Sequence, residues 1–141
     1  EHTYIAGASM GGYGALVHAM KDTEQYRAVG AFSPATVWAK DLEEKVGHKF
    51  PEPMDLYQII RDDVDAGKKL PDIFFCVGNN DFLIESVDRF EEYLNELKID
   101  HRFDRVDGYE HEWRFWELEL PEFLDWLPRT DSYAKMGKHK M

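Results

Sequence analysis

The chain has 141 residues, of which 43% are hydrophobic and 14% aromatic, which excludes a disordered chain and fits about one packed domain. Its 28 acidic and 17 basic residues give a net charge of −11, which disfavours nucleic acid and anionic membranes as partners. The single cysteine, Cys76, excludes an intrachain disulfide and a thiolate metal cluster, and no apolar run approaches the roughly 18 residues that a membrane-spanning helix needs.

Apolar runs and one-sided helical patterns alternate along the chain. A short apolar run predicts the first strand over residues 3–6, and a helix is predicted after it over 11–21. The sequence "AVGAF" at 28–32 predicts a second buried strand. After a longer connection, apolar residues on one stripe predict a helix over 55–65.

The second part of the chain continues the same alternation. The sequence "IFFCV" at 73–77 gives the strongest strand prediction, because a continuous apolar run is typical of a parallel strand buried on both faces. A long amphipathic helix is predicted from Phe82 onward. A more polar strand over 102–106 precedes a last helix over 113–127, which Pro121 is expected to kink or divide.

This order of elements predicts an α/β fold of about four strands, with a parallel sheet and helices on its faces. In such sheets, active sites gather at the carboxyl ends of the strands. The residues that directly follow the four predicted strands are therefore the first candidates for chemistry.

Ser9 directly follows the first predicted strand, in the sequence "GASMG", which matches G-x-S-x-G on a strand-to-helix turn. At such a turn, Gly7 and Gly11 would allow neighbouring backbone to approach closely. The backbone N–H of Met10 would point towards the oxygen of a bound acyl group. The alternative is a glycine-rich turn that only opens a helix, since a chain of this length matches the motif by chance roughly one time in twenty.

Asp81 ends the sequence "GNND" after the third predicted strand. A carboxylate there could orient a histidine and stabilise its charged form. Aspartate is also a favoured helix N-cap, and a helix is predicted from Phe82, so a structural role stays open. Asp104 and Asp107 are rival acids, which are disfavoured because they would leave the third strand without its expected role.

His111 lies in "GYEHEW" after the fourth predicted strand and is the candidate general base, which would take a proton from Ser9 and return it to a leaving group. The alternative is a solvent-exposed loop histidine between two glutamates. The other histidines fit the role less well, because they lie before a strand, at the start of a strand, within a helix, in the connection or near the end of the chain: His2, His101, His18, His48 and His139.

The sequence resembles the esterase D-like esterases of the α/β-hydrolase superfamily, which include tributyrin esterase-type enzymes, feruloyl and acetyl xylan esterases, and S-formylglutathione hydrolases. The resemblance is carried by "YIAGASMGGYGAL", "CVGNNDFL" and "GYEHEWRFWELELPEFLDWL" and spans nearly the whole chain to Pro128. It implies Ser9 as nucleophile, Asp81 as triad acid, His111 as base and Met10 as an oxyanion donor. It implies no metal or organic cofactor.

The resemblance also implies a domain organisation. In that family the elbow serine follows the fifth of eight strands, so residues 1–128 are expected to form the carboxyl-terminal half of a catalytic domain, with 129–141 a frayed basic tail. The chain lacks an initiator Met and opens beside its first predicted strand, so we expect further sequence upstream. The preceding strands and the loop with the second oxyanion donor would then lie there.

The implied function is hydrolysis of a small-molecule carboxylic ester through an acyl-enzyme. The alternatives are an S-formylglutathione hydrolase-like thioesterase, an acyltransferase, or a non-catalytic fragment. Trp38 and Trp113 are candidates for substrate binding, although core packing is the competing role of each. A homo-oligomer and a missing amino-terminal half are both open, and so is the compartment, with the cytoplasm slightly favoured over export behind a signal peptide.

Overall fold

Strands and helices alternate in the computed structural model, which describes residues 3–36 and 55–128. None of the helices in these ranges is both long enough and apolar enough to cross a membrane. The elements in chain order are β1 Tyr4–Ala8, α1 Met10–Lys21, β2 Ala28–Phe32, α2 Leu56–Asp65, β3 Asp72–Gly78, α3 Ile84–Glu96, β4 Arg102–Val106 and α4 Trp113–Trp126.

The described strands form one parallel sheet of four strands in the order β1-β2-β3-β4. Near their carboxyl ends, Ala8 lies opposite Phe32, and Phe32 lies opposite Cys76. Gly78 lies opposite Val106. The loops that follow the four strands therefore meet at one edge of the sheet, as the alternation of elements predicts.

Both faces of the sheet are covered by helices. Val29 and Phe75 face the side on which α1, α2 and α3 pack. Strand residues of the opposite orientation, such as Phe32 and Phe74, face the other side and pack against α4, where Phe123 contacts both rings edge-on. Because successive strand residues point to opposite faces, β2 and β3 need continuous apolar sequences, and these are what made them recognisable.

The predicted bounds of two strands are confirmed, and other bounds differ for local reasons. β2 and β4 span the predicted residues. β1 runs on to Ala8 because Gly7 and Ala8 stay paired with β2. The helix after Asp81 begins at Ile84 rather than Phe82.

Pro121 does not divide the last helix, so of its two predicted effects the division is wrong. α4 is assigned as one helix through the proline. Phe115 and Phe123, on either side of it, are both buried against the same face of the sheet. This packing holds the two parts of α4 together despite the backbone hydrogen bond that a proline removes. The tail predicted for 129–141 lies outside the described residues.

Candidate active site

Ser9 occupies a strained turn between β1 and α1. Its φ is 57° and its ψ is −122°, a conformation that non-glycine residues rarely adopt. Its N–H donates to the Phe32 carbonyl at 2.8 Å, and its own carbonyl accepts from the N–H groups of Gly12, Tyr13 and Ala35 at 3.0–3.2 Å. Four backbone hydrogen bonds thus hold the strained residue in place.

Only one of the two motif glycines meets the expected steric constraint. A Cβ on Gly7 would collide with the backbone carbonyl of Gly11, so the turn requires glycine at position 7. A Cβ on Gly11, by contrast, would lie more than 4 Å from every heavy atom of the described residues, apart from its chain neighbours and the backbone of its own helix. The close approach that the motif implies is therefore seen at Gly7 and not at Gly11.

Asp81 lies in the turn after β3 and is buried, with 2% of its surface exposed. One carboxylate oxygen accepts from the N–H of Leu83 at 2.8 Å. The other lies 2.8 Å from Nδ1 of His111. The structural role and the role towards histidine are therefore compatible, because a carboxylate has two oxygens and each makes one of these contacts.

His111 lies in the loop between β4 and α4 and reaches both of the other candidates. Its Nδ1 faces Asp81, and its Nε2 lies 2.9 Å from Oγ of Ser9. The loop packs directly on β3, since a Cβ on Gly78 would collide with the Tyr109 carbonyl, which also accepts from the N–H of Asn80 at 2.9 Å. Ser9, His111 and Asp81 thus form a continuous hydrogen-bonded chain across residues that are far apart in sequence.

Aromatic rings flank the imidazole on two sides. The Phe82 ring lies 5.0 Å from the His111 ring, centroid to centroid, and the Trp116 ring lies 5.3 Å away and perpendicular to it. Trp116 also donates from Nε1 to Oγ of Ser33 at 3.0 Å. Sequence reasoning gave Ser33 no role, although Ser33 directly follows β2 at the edge where the site was expected. For Trp116 it left two roles open, packing that fixes the histidine loop and an acyl-binding wall.

Of the other predicted site residues, Met10 and Trp113 are both largely exposed. Met10 is the first residue of α1, where backbone N–H groups have no acceptor within the helix, and its side chain is 68% exposed. Trp113 is 75% exposed and lies with its ring edge-on to Trp116 at 4.9 Å. Trp38 lies outside the described residues. Within 3–36 and 55–128, His, Cys, Asp and Glu side chains form no group of three or more that could hold a metal ion.

The rival acid Asp104 belongs to a polar cluster between β4 and α4, which we call the Asp104 cluster: Arg102, Asp104, Glu119 and Glu122. Arg102 lies 2.9 Å from Asp104 and 3.1 Å from Glu122. Glu119 is buried, and burial together with the neighbouring Asp104 raises its pKa to about 8. Asp104 is therefore occupied on the α4 side of the sheet, whereas Asp81 contacts His111.

Cys76 is buried in β3, as expected for a small apolar residue. Burial raises the pKa of its thiol well above the usual value, which disfavours the reactive thiolate. It is therefore not a second nucleophile of this site.

Known proteins share this arrangement of sheet and helices. Residues 1–127 match a family model described as "Putative esterase". An acetyl esterase of Caldicellulosiruptor saccharolyticus is 26% identical in an alignment 151 positions long, which covers 94% of this chain and 56% of that protein. Among solved structures, an S-formylglutathione hydrolase from Agrobacterium tumefaciens is 25% identical with a TM-score of 0.68, over 87% of this chain and 47% of that one. A ferulic acid esterase is 23% identical with a TM-score of 0.71, over 86% and 49%.

The chain spans about half the length of these relatives. The family match nevertheless covers residues 1–127, and the fold agrees with that of the S-formylglutathione hydrolase over 87% of this chain. The resemblance noted from the sequence alone is thereby confirmed: the chain belongs to this esterase family and has the fold of the α/β-hydrolase superfamily.

Proposed function

We propose that this chain carries the catalytic triad of a serine carboxylic ester hydrolase that works through an acyl-enzyme. The observation that supports it most is the hydrogen-bonded chain from Ser9 Oγ through His111 to Asp81, with both contacts between 2.8 and 2.9 Å. A serine beside an imidazole that is itself held by a buried carboxylate is the arrangement that activates a hydroxyl for attack on a carbonyl.

In the proposed reaction, Ser9 Oγ attacks the ester carbonyl while His111 Nε2 takes its proton. Asp81 holds the imidazole with Nδ1–H directed at the carboxylate and stabilises the charge that forms. The backbone N–H of Met10 donates to the oxyanion of the tetrahedral intermediate. His111 then gives the proton to the leaving alcohol, and the same groups activate a water molecule that hydrolyses the acyl-enzyme.

The proposed activity is that of the protein expressed from its complete reading frame. An oxyanion site usually has two donors, and Met10 is the one assigned in this chain. Loss of a single donor typically lowers the rate by about 10²- to 10³-fold. We therefore expect the 141-residue chain by itself to turn over far more slowly than a product that supplies a second donor.

The proposed substrate is a small ester, and a thioester is the second candidate. The similar proteins include an acetyl esterase and a ferulic acid esterase, and this likeness supports an ester substrate. They also include an S-formylglutathione hydrolase, and that likeness supports a thioester. The choice between the two candidates depends on the leaving group. Measuring kcat/KM for p-nitrophenyl acetate, methyl ferulate and S-formylglutathione would rank the candidates directly.

The serine assignment is tested with a Ser9→Ala variant, p-nitrophenyl acetate and a fluorophosphonate probe. Because the nucleophile of a triad contributes several orders of magnitude, Ser9→Ala should abolish measurable turnover and labelling. Ser86→Ala is the matched control, since that hydroxyl donates to the Leu83 carbonyl in the first turn of α3 and should leave labelling intact. Near-wild-type turnover in Ser9→Ala would overturn the proposal, and an unlabelled wild-type protein would favour a non-catalytic fragment.

A further inference from the structure

The imidazole of His111 needs more than Asp81 to hold its position. The contact at Nδ1 fixes one atom of the ring, but the ring can still swing about that contact and move Nε2 relative to Ser9 Oγ. Proton transfer is sensitive to this movement, since a misplacement of about 1 Å can lower a rate by about 10²-fold. The rings beside the imidazole are therefore the groups that limit its swing.

The two flanking rings differ in how firmly they are held. Phe82 is 78% exposed. Trp116 is half-buried, lies perpendicular to the imidazole and uses its indole N–H to bond Ser33 Oγ at 3.0 Å. Indole has a single hydrogen-bond donor, so this bond fixes the rotation of the Trp116 ring. Trp116 is the better support for the histidine.

Ser33 is itself a fixed acceptor. It is fully buried, has a left-handed φ of 46°, and donates its N–H to the Cys76 carbonyl of the neighbouring strand at 2.8 Å. A buried residue in a strained conformation persists only where its surroundings determine it. The backbone from which the Ser33 hydroxyl extends is therefore held by the sheet.

The segment that carries Ser33 also holds the nucleophile turn. Phe32 accepts the N–H of Ser9 at 2.8 Å, and Ala35 donates to the Ser9 carbonyl at 3.2 Å. Residues 32–35 thus contact Ser9 through backbone bonds and Trp116 through the Ser33 hydroxyl. One short loop sets the position of the serine and of the ring that supports the histidine.

We propose that Trp116 and Ser33 are positioning residues that act as a unit to hold His111 Nε2 at the right distance from Ser9 Oγ. This inference rests on the proposed function, since it concerns the same Ser9–His111 pair. Neither residue reacts with substrate. The pair should therefore affect kcat and the rate of labelling at Ser9 much more than KM.

The test uses the protein expressed from its complete reading frame and the variants Trp116→Phe, Ser33→Gly and the double variant. Phenylalanine keeps an aromatic ring but lacks the N–H, and glycine removes the hydroxyl while tolerating the left-handed φ. Trp126→Phe is the matched control, because Trp126 lies in the same helix but packs on Phe74 and Phe123. Thermal melting of each variant is recorded first, and kcat and KM are compared among variants that remain folded at the assay temperature.

Each single variant should lower kcat and fluorophosphonate labelling by about 5- to 30-fold, the scale of one hydrogen bond amplified by misalignment, with KM changed less than about 2-fold. The double variant should be no slower than the slower single one, because both remove the same bond. Trp126→Phe should keep the wild-type kcat. The inference would be overturned if the effects of the two single variants on kcat multiplied in the double variant, or if kcat were unchanged in both single variants. If Ser9→Ala still abolished turnover, the proposed function would stand in either case. Activity retained in Ser9→Ala would instead overturn the proposed function.

Discussion

A Glu119→Gln substitution should change how the stability of the protein depends on pH. Glu119 is buried between α4 and the sheet, within hydrogen-bonding reach of Asp104, and its Oε2 has no hydrogen-bond partner among the described residues. Burial raises its pKa most, the carboxylates of Asp104 and Glu122 raise it further, and Arg102 lowers it, so that it reaches about 8 against an ordinary value of 4.5. The folded protein therefore keeps a proton on Glu119 that the unfolded chain releases.

The sign and size of the effect follow from this difference in proton binding. Between about pH 4.5 and about pH 8 the folded state binds one proton more than the unfolded state, so the free energy of unfolding falls as the pH rises. The slope is about 1.4 kcal/mol per pH unit. The contribution is fully present below the unfolded pKa and is lost once the pH has passed the folded pKa. Glutamine stays neutral throughout and still offers Asp104 an N–H donor, so it removes this slope.

Urea denaturation at pH 5, 6, 7, 8 and 9 measures the prediction as the difference in unfolding free energy between wild type and Glu119→Gln. Wild type should lose stability relative to the variant from pH 5 to 8, and the difference should level off above that. Glu122→Gln is the control, because it removes a half-exposed carboxylate from the same Arg102, and its effect should stay within about 1 kcal/mol. A difference for Glu119→Gln that is constant from pH 5 to 9 would refute the reasoning.

Gly7→Ala should destabilise the turn at Ser9 and remove fluorophosphonate labelling, because its Cβ collides with the Gly11 carbonyl. Gly14→Ala should instead stabilise α1 by about 0.5–1 kcal/mol and raise the melting temperature. Its Cβ would lie more than 4 Å from every heavy atom of the described residues, apart from its chain neighbours and the backbone of its own helix. Asp81→Asn should lower kcat by about 10³- to 10⁴-fold with a small change in KM, as in other triads that lose the acid. Asp104→Asn, measured in the same ester assay, should keep kcat within a few-fold of wild type; a larger loss than in Asp81→Asn would reverse the assignment of the acid.

The alternation of elements was predictable because both faces of the sheet are covered. A strand buried on both sides must be apolar throughout, and β2 and β3 are. β4 was also found, although its alternate residues Arg102 and Asp104 are polar. The strand is only partly buried, and these two charges lie on the α4 side of the sheet, where they pair with each other.

The candidate triad was predictable for a different reason. The prediction combined the G-x-S-x-G match at Ser9 and the family resemblance with the rule that residues after parallel strands share one edge. Ser9, Asp81 and His111 each follow a strand. Ser33 also follows a strand, but its contact is with Trp116, 83 positions away, through one hydrogen bond. Neither spacing nor residue type signals such a bond, so it had to be read from the structure.

The sheet itself accounts for the way these distant residues meet. The residue after each of the first three strands donates its N–H to a carbonyl of the next strand: Ser9 to Phe32, Ser33 to Cys76, and Asn79 to Val106, each at 2.8 Å. The ladder of hydrogen bonds thus continues one residue beyond each strand and fixes where every loop begins. The ladder is anchored in the buried core that surrounds β2 and β3 on both faces of the sheet. The sheet therefore sets the positions of the candidate site residues, because each loop that carries them starts from a residue that the sheet holds.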